Sequence, residues 1–455
     1  MKLLRATTAF VLAIFGLLPP VALGQEVKAE GKKVVIAGHE ARFDARGRLL
    51  AWAPWEAAIA KEMKFYEGAP LEHGYPVFVT TTFLDGEWKP TERGDTIPAT
   101  QDGMGILSWL EYYEWGGKRD AKALAIARAM GDYLVREDLT PEGGEWGGFT
   151  RSTGRRGDFP QRADSGTQSD RPYEMEPDKG GIAGYALVRL YDALHAATPA
   201  DQRGLQNKRQ NTEEIYLQQA LQNARLLAAH QRGGDRAQSP WPFRVDYRTG
   251  EGRGDVSGDT VFVLRLYDAL IAHGYKEFAG PRAKLRQWIL TWQIPSARGG
   301  GELFAQFFED HDNPGNRTAW APLHLARYLL EQRAALDANW LADAGTLVEF
   351  VRKNFTHQEF GVTVCHEQDE DHDAWGGINS TYGAVLALYA KASGNDALAW
   401  EARQALNFAE YAIDDGGRPR DLFKSAALGG WQEDAHTDVV HNFLEAMRVY
   451  PEWGK

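Results

Sequence analysis

Three aspartates, Asp102, Asp178 and Asp259, each stand near the start of a stretch patterned as a helix. Two carboxylates set across a sugar-sized gap suffice for glycosidic hydrolysis, one giving a proton and the other serving as base or nucleophile. Asp178 follows Pro177 and precedes Lys179-Gly180-Gly181. A helix dipole there favours the ionised carboxylate, the state of a base or nucleophile. Asp102 is the expected partner acid, its pKa raised by burial. A second chemistry, removal of the proton α to a uronate carboxyl, needs a base and a group that neutralises the carboxylate. His372 and His436, with His366, Tyr382 and Arg317, are of the right types. Trp146, Trp241, Trp375 and Trp431 offer faces for sugar rings, and Arg317, Asn379 and Tyr382 can bond hydroxyls. Capping accounts for any one of the aspartates, since Asp belongs at helix starts in every protein. It does not account for a tryptophan in nearly every loop.

These residues need a scaffold that gathers helix starts at one end. Residues 181–194 return at 258–270, with the hexapeptide Arg-Leu-Tyr-Asp-Ala-Leu identical at 189–194 and 265–270. Apolar residues recur there at i, i+1, i+4, i+5 and i+8, one buried helix face, so Leu190 and Leu266 should both be core. Such internal repetition signals stacked helical units. The pattern predicts one series of helices at 102–115, 178–195, 257–273, 316–332, 377–392 and 434–449. A more polar series at 119–136, 213–231, 280–293, 338–355 and 396–413 alternates with it. A helix at 54–65 completes the second series and closes six pairs. The fold class is therefore all-α, an (α/α)6 toroid, with a small β-containing collar over 25–100 and the toroid over 101–455. The collar reads as short strands at 33–37 and 49–52 and a longer one at 76–84. Connections from the first series to the second are short, and those back are long. The long loops hold the unusual residues, which should share one mouth.

The chain has 455 residues and a net charge of −12, which argues against a nucleic-acid partner. Lys2 and Arg5, an apolar run over 6–18 and Ala22-Leu23-Gly24 make residues 1–24 a secretory signal peptide. A periplasmic or extracellular location follows, with no membrane span. Cys365 is the only cysteine, so no intrachain disulfide forms. Cys365, His366 and Asp371 are metal-ligand types at close spacing, but no CxxC or HxxxH accompanies them. A solvated acidic loop is the preferred reading over a zinc or calcium site, and no cofactor is expected.

The alternation of inner and outer helices resembles the six-hairpin glycosidase-like toroids, among them unsaturated glucuronyl hydrolases and the toroidal domains of polysaccharide lyases. The runs His73-Gly74-Tyr75-Pro76, 81–86, 97–105 and 382–394 look like a group of secreted bacterial proteins of unassigned activity. The resemblance implies a carbohydrate-active enzyme that breaks glycosidic bonds, with uronic-acid glycans favoured by arginines such as Arg151 and Arg171. The alternatives are a glycan-binding protein without catalysis and a zinc-using toroid of the terpenoid-cyclase kind.

Overall fold

The computed structural model describes residues 34–90, 97–152, 173–197, 213–305, 313, 315–420 and 432–455, with side chains from 439 in the last stretch. The expected signal peptide lies outside the described residues.

Six helices stand in a closed inner ring: α3 (Pro98–Trp115), α5 (Pro177–Ala197), α7 (Val261–Ala272), α9 (Trp320–Gln332), α11 (Gly376–Ser393) and α13 (Gln432–Val449). Each packs on the next, and α13 packs back on α3. The outer ring is α4 (Ala121–Arg136), α6 (Glu214–Ala229), α8 (Ala279–Trp288), α10 (Trp340–Asn354) and α12 (Asp396–Glu410), with α1 (Trp55–Tyr66) against α13. This is the six-hairpin (α/α) toroid that the sequence predicts. No described helix is long and apolar enough to cross a membrane.

Composition explains the layering. In α11 every residue from Gly376 to Ala387 is buried, as an inner helix packed on all sides requires. In α4 the buried positions are Ala123, Ile126, Ala127, Met130, Gly131 and Leu134, a single stripe. Asp120 caps that helix, accepting from the N–H groups of Lys122 and Ala123 at 3.0 and 3.1 Å. Leu190 and Leu266 are both fully buried. Gly184 makes room for Leu266, since a Cβ there would sit 2.7 Å from Leu266 Cδ2. The inner helices α5 and α7 therefore approach closely.

The collar has strands at Val35–Ile36, His39–Glu40, Arg42–Phe43 and Leu49–Leu50. The strand expected over 76–84 is not there. After Tyr75–Pro76 the chain turns into α2 (Val77–Thr80), whose Val77, Phe78 and Val79 are buried beside α3 and α4. Packing on two helices outweighs the β-propensity of those residues.

Ring closure joins the two ends of the chain. The N–H of Trp52 donates to Glu410 Oε2 at 2.9 Å, and Trp55 Nε1 donates to Asn407 Oδ1 at 3.1 Å. Asn407 and Tyr411 reach back to the carbonyls of Leu49 and Leu50. Trp55 also meets Phe443 of α13 edge to face, 4.9 Å between centroids.

Candidate functional site

The inner helices enclose a bore whose two halves differ. At the N-terminal end Asp102 of α3 and Asp178 of α5 are buried side by side in ring order. A Cβ on Gly103 would lie 3.2 Å from the Ala183 nitrogen, so these two helix starts are in close contact. Neither oxygen of Asp102 has a hydrogen-bond partner, and burial, with Asp138 nearby, pushes its pKa well above the carboxylate range. Asp178 Oδ1 accepts from the Lys179 N–H at 3.0 Å, and the Ser257 hydroxyl also favours its ionised form. Burial raises its pKa to about 6 against the pull of Lys179, and Asp259 adds to the rise. The expectation that the helix dipole would keep Asp178 low is thus corrected, because desolvation outweighs it.

Asp259 connects this end to the centre. Its Oδ2 lies 2.8 Å from His324 Nδ1, which must be the protonated nitrogen because a carboxylate only accepts. That leaves Nε2 with its lone pair, and Nε2 has no partner. Burial lowers the His324 pKa, opposed by Asp259 and reinforced by Arg327 and Arg265. Phe262 and Trp320 flank the ring at 5.1 and 5.6 Å. A neutral imidazole, oriented by a buried carboxylate, is the arrangement of a general base.

His324 lines a cavity of about 230 Å³ in the C-terminal half of the bore. Its other polar walls are Glu111, Tyr185, Arg189, Arg265, Arg327, Glu331, His441, Glu445 and Arg448. Here charges are matched between helices. Arg265 of α7 grips Glu331 of α9 at 2.8 and 2.9 Å. Arg327 of α9 faces Glu445 of α13 at 3.0 Å, Arg448 of α13 pairs with Glu111 of α3, and Arg189 of α5 stands 3.5 Å from Glu114 of α3. Arg327 spans the bore past α11, and it also donates to Asn442, which bonds the small Ser380 and Thr381 of α11 at 2.9 and 2.8 Å. Burial raises the Glu445 pKa to about 7 against the pull of Arg327, and it lowers that of His441 well below the usual range, with four arginines adding to the fall. His441 Nδ1 and Arg265 Nε have no hydrogen-bond partner. The side chains of Arg189, Glu331 and Arg448 are a third or more exposed. The cavity therefore meets solvent where the inner helices end, opposite the long loops.

The tryptophans expected at the mouth are placed otherwise. Trp146 is buried against His230, 4.4 Å between centroids, and buried Trp241 donates to the Leu227 carbonyl at 3.0 Å. Both serve as core wedges over the end of α6, which corrects their assignment as sugar platforms. Trp375 is buried, and its Nε1 donates to Asp371. Asn379 clamps the Cys365 backbone, accepting from its N–H and donating to its carbonyl, and it also donates to the Trp375 carbonyl. Tyr382 donates to Glu401, which also holds Arg352. Asn379 and Tyr382 therefore knit elements together and do not line the cavity. Arg317 is engaged bidentately by Asp369 at 2.8 Å on both oxygens. Trp431 lies outside the described residues, as does the side chain of His436. His372 is exposed and stacks on His366, 4.4 Å between centroids. Those rings lie face to face and do not converge, Cys365 is buried with its thiol pKa pushed up by that burial, and no described residues gather as a metal site would.

Sequence reasoning placed His441 among the polar residues of the last loops but missed His324, Arg327 and Glu331, and the Glu445 and Arg448 that share a helix face with His441. Their signal was present as spacing: i, i+3, i+7 and i, i+4, i+7, a polar stripe on a helix whose other faces are apolar.

No family model matches the sequence, and no curated relative does. Solved structures match the fold along most of its length. A D-mannose isomerase aligns with a TM-score of 0.58 at 15% identity, covering 86% of this chain and 96% of that one. Cellobiose 2-epimerase from Bacillus thermoamylovorans B4167 aligns at 0.58 with 11% identity, covering 86% and 98%. A family 76 glycoside hydrolase from a bovine Bacteroides thetaiotaomicron strain aligns at 0.56 with 13% identity, covering 88% and 78%. The chain thus has the fold of the six-hairpin glycosidase-like toroids.

Proposed function

We propose that the protein is an exported carbohydrate-active enzyme that removes a proton from the carbon next to a sugar carbonyl, as an isomerase or epimerase does. The observation that carries this reading is His324: its Nδ1–H is held by buried Asp259 while Nε2 stands unpartnered in the wall of the bore cavity. At about 230 Å³ the cavity is smaller than the roughly 300–1,000 Å³ of drug-sized sites, which suits one sugar unit. His324 Nε2 takes the proton. The free Nε–H of Arg265 stabilises the oxygen on which charge develops. His441, kept neutral, hydrogen-bonds the adjoining hydroxyl. The fold shared with a D-mannose isomerase and cellobiose 2-epimerases agrees with this chemistry. The run over residues 1–24 supports export.

The test is incubation with reducing mono- and disaccharides in D2O, followed by NMR. Deuterium should enter at C2 with wild-type protein and not with His324→Gln. Release of fragments from glycans without exchange would instead favour a second reading, glycosidic cleavage at the long-loop end. That reading has its own support in Asp102, buried, unpartnered and raised in pKa as an acid would be, with Asp178 on the next inner helix. Uronic-acid substrates belong to it.

A further inference from the structure

A second site lies on the outer surface, away from the bore. Trp400 of α12 is 44% exposed, at a position where an outer helix would ordinarily carry a charged residue. It is also held still. Asp44 grips Arg48 Nε at 2.6 Å, and the Arg48 guanidinium lies 3.9 Å from the centre of the indole. This stacking fixes one face of the ring. Beside it a cleft of about 340 Å³ is lined by Trp400, Arg403, Asp396, Tyr450, Glu452 and Trp453. Tyr450 and Trp453 stack at 4.1 Å with 4° between their planes, and Trp453 is anchored edge-on to Trp55 at 5.9 Å. The floor is therefore as rigid as the rim.

A fixed aromatic ring open to water, with carboxylates and a guanidinium around it, matches a pyranose. The C–H face lies on the ring and the hydroxyls meet the charged groups. The carboxylates Asp396 and Glu452 are offset by Arg403 and by Arg48 over the indole, so the cleft holds no excess charge to draw an anionic sugar, and a neutral one suits it. We propose that this cleft binds sugar units of a neutral glycan chain and holds the polymer against the outside of the ring. The proposal does not depend on the chemistry of the bore. One exposed stacking site gives a Kd on the order of 1 mM, which matters only when a second site on the same chain raises the effective concentration.

The test uses full-length protein labelled with 5-fluorotryptophan, the Trp400 resonance being assigned by its loss in Trp400→Phe. Titration with cellohexaose or mannohexaose should shift that resonance, in wild type and in His324→Gln alike. Asp396→Ala combined with Glu452→Ala should weaken the response about tenfold, and an alginate hexamer should shift the resonance no more than the neutral chains do. A Trp400 resonance that neither neutral hexasaccharide moves overturns the proposal, as does one moved only by the acidic chain.

Discussion

Glu111, Glu331 and Glu445, in the C-terminal half of the bore, each face an arginine of another inner helix. Asp102 and Asp178, in the N-terminal half, are more deeply buried, yet neither oxygen of Asp102 has a hydrogen-bond partner. The same chemistry is thus compensated at one end and left open at the other, with His324 and Asp259 at the boundary. A buried charge with its partner in place is part of the framework. One without a partner weakens the fold and points to a ligand or a reaction. Substitutions at the two ends should therefore differ in kind: at the paired end stability falls first and activity with it, while at the open end activity falls and stability holds or rises.

The largest effect expected is at the paired end. Arg327→Met leaves Glu445 buried without its cation and should lower stability by about 3–5 kcal/mol in urea unfolding. Adding Glu445→Met should restore most of it. A double variant no more stable than the single one would mean that Glu445 does not need Arg327 as its partner. Next is His324→Gln, which should reduce turnover by about 10³-fold while the melting temperature stays near that of wild type. Unfolding instead would place His324 in the framework.

Asp178→Asn sharpens the contrast further. The folded pKa of about 6 lies above the ordinary 3.8 of the unfolded chain, so wild-type stability is full below that lower value and declines as pH rises through 6. The variant lacks this decline and should be more stable above pH 6 by on the order of 3 kcal/mol, with no gain at pH 4. Its activity should fall less than that of His324→Gln. An equal or greater fall would move the chemistry to the carboxylates and favour glycosidic cleavage. The smallest effect concerns Glu410, which belongs to neither half. Burial lifts its pKa to about 8, although the N–H groups of Trp52 and Ala53 pull it down. Its contribution should fade between about pH 4.5 and 8, and Glu410→Gln should flatten that slope in thermal melts.

Much of this architecture can be read from residue order. Helical periodicity survives in every ring helix, so the stretch expected at 213–231 is observed at Glu214–Ala229 and that at 54–65 at Trp55–Tyr66. The aspartates at the helix starts were legible for the same local reason. The pairing in the bore was not. Arg448 finds Glu111, and Arg327 finds Glu445, only after distant helices have been brought round the ring, and no local spacing encodes that meeting. The tryptophans misled for a related reason. A loop indole looks available until an outer helix closes over it, as α6 does over Trp241.

The clasp between the collar and α12 has a consequence for the order of assembly. Trp52 and Glu410 are 358 residues apart, and α1 completes its pair only with α13, the last long helix. While the polypeptide is being made, the first segment has no docking place, and neighbouring hairpins can form only an open arc. The polar groups destined for the bore stay wet throughout this stage, so their desolvation is deferred to a single late event. Such long-range closure is slow. Removing the final helix should leave a water-filled crescent of hairpins in place of a slightly shortened ring.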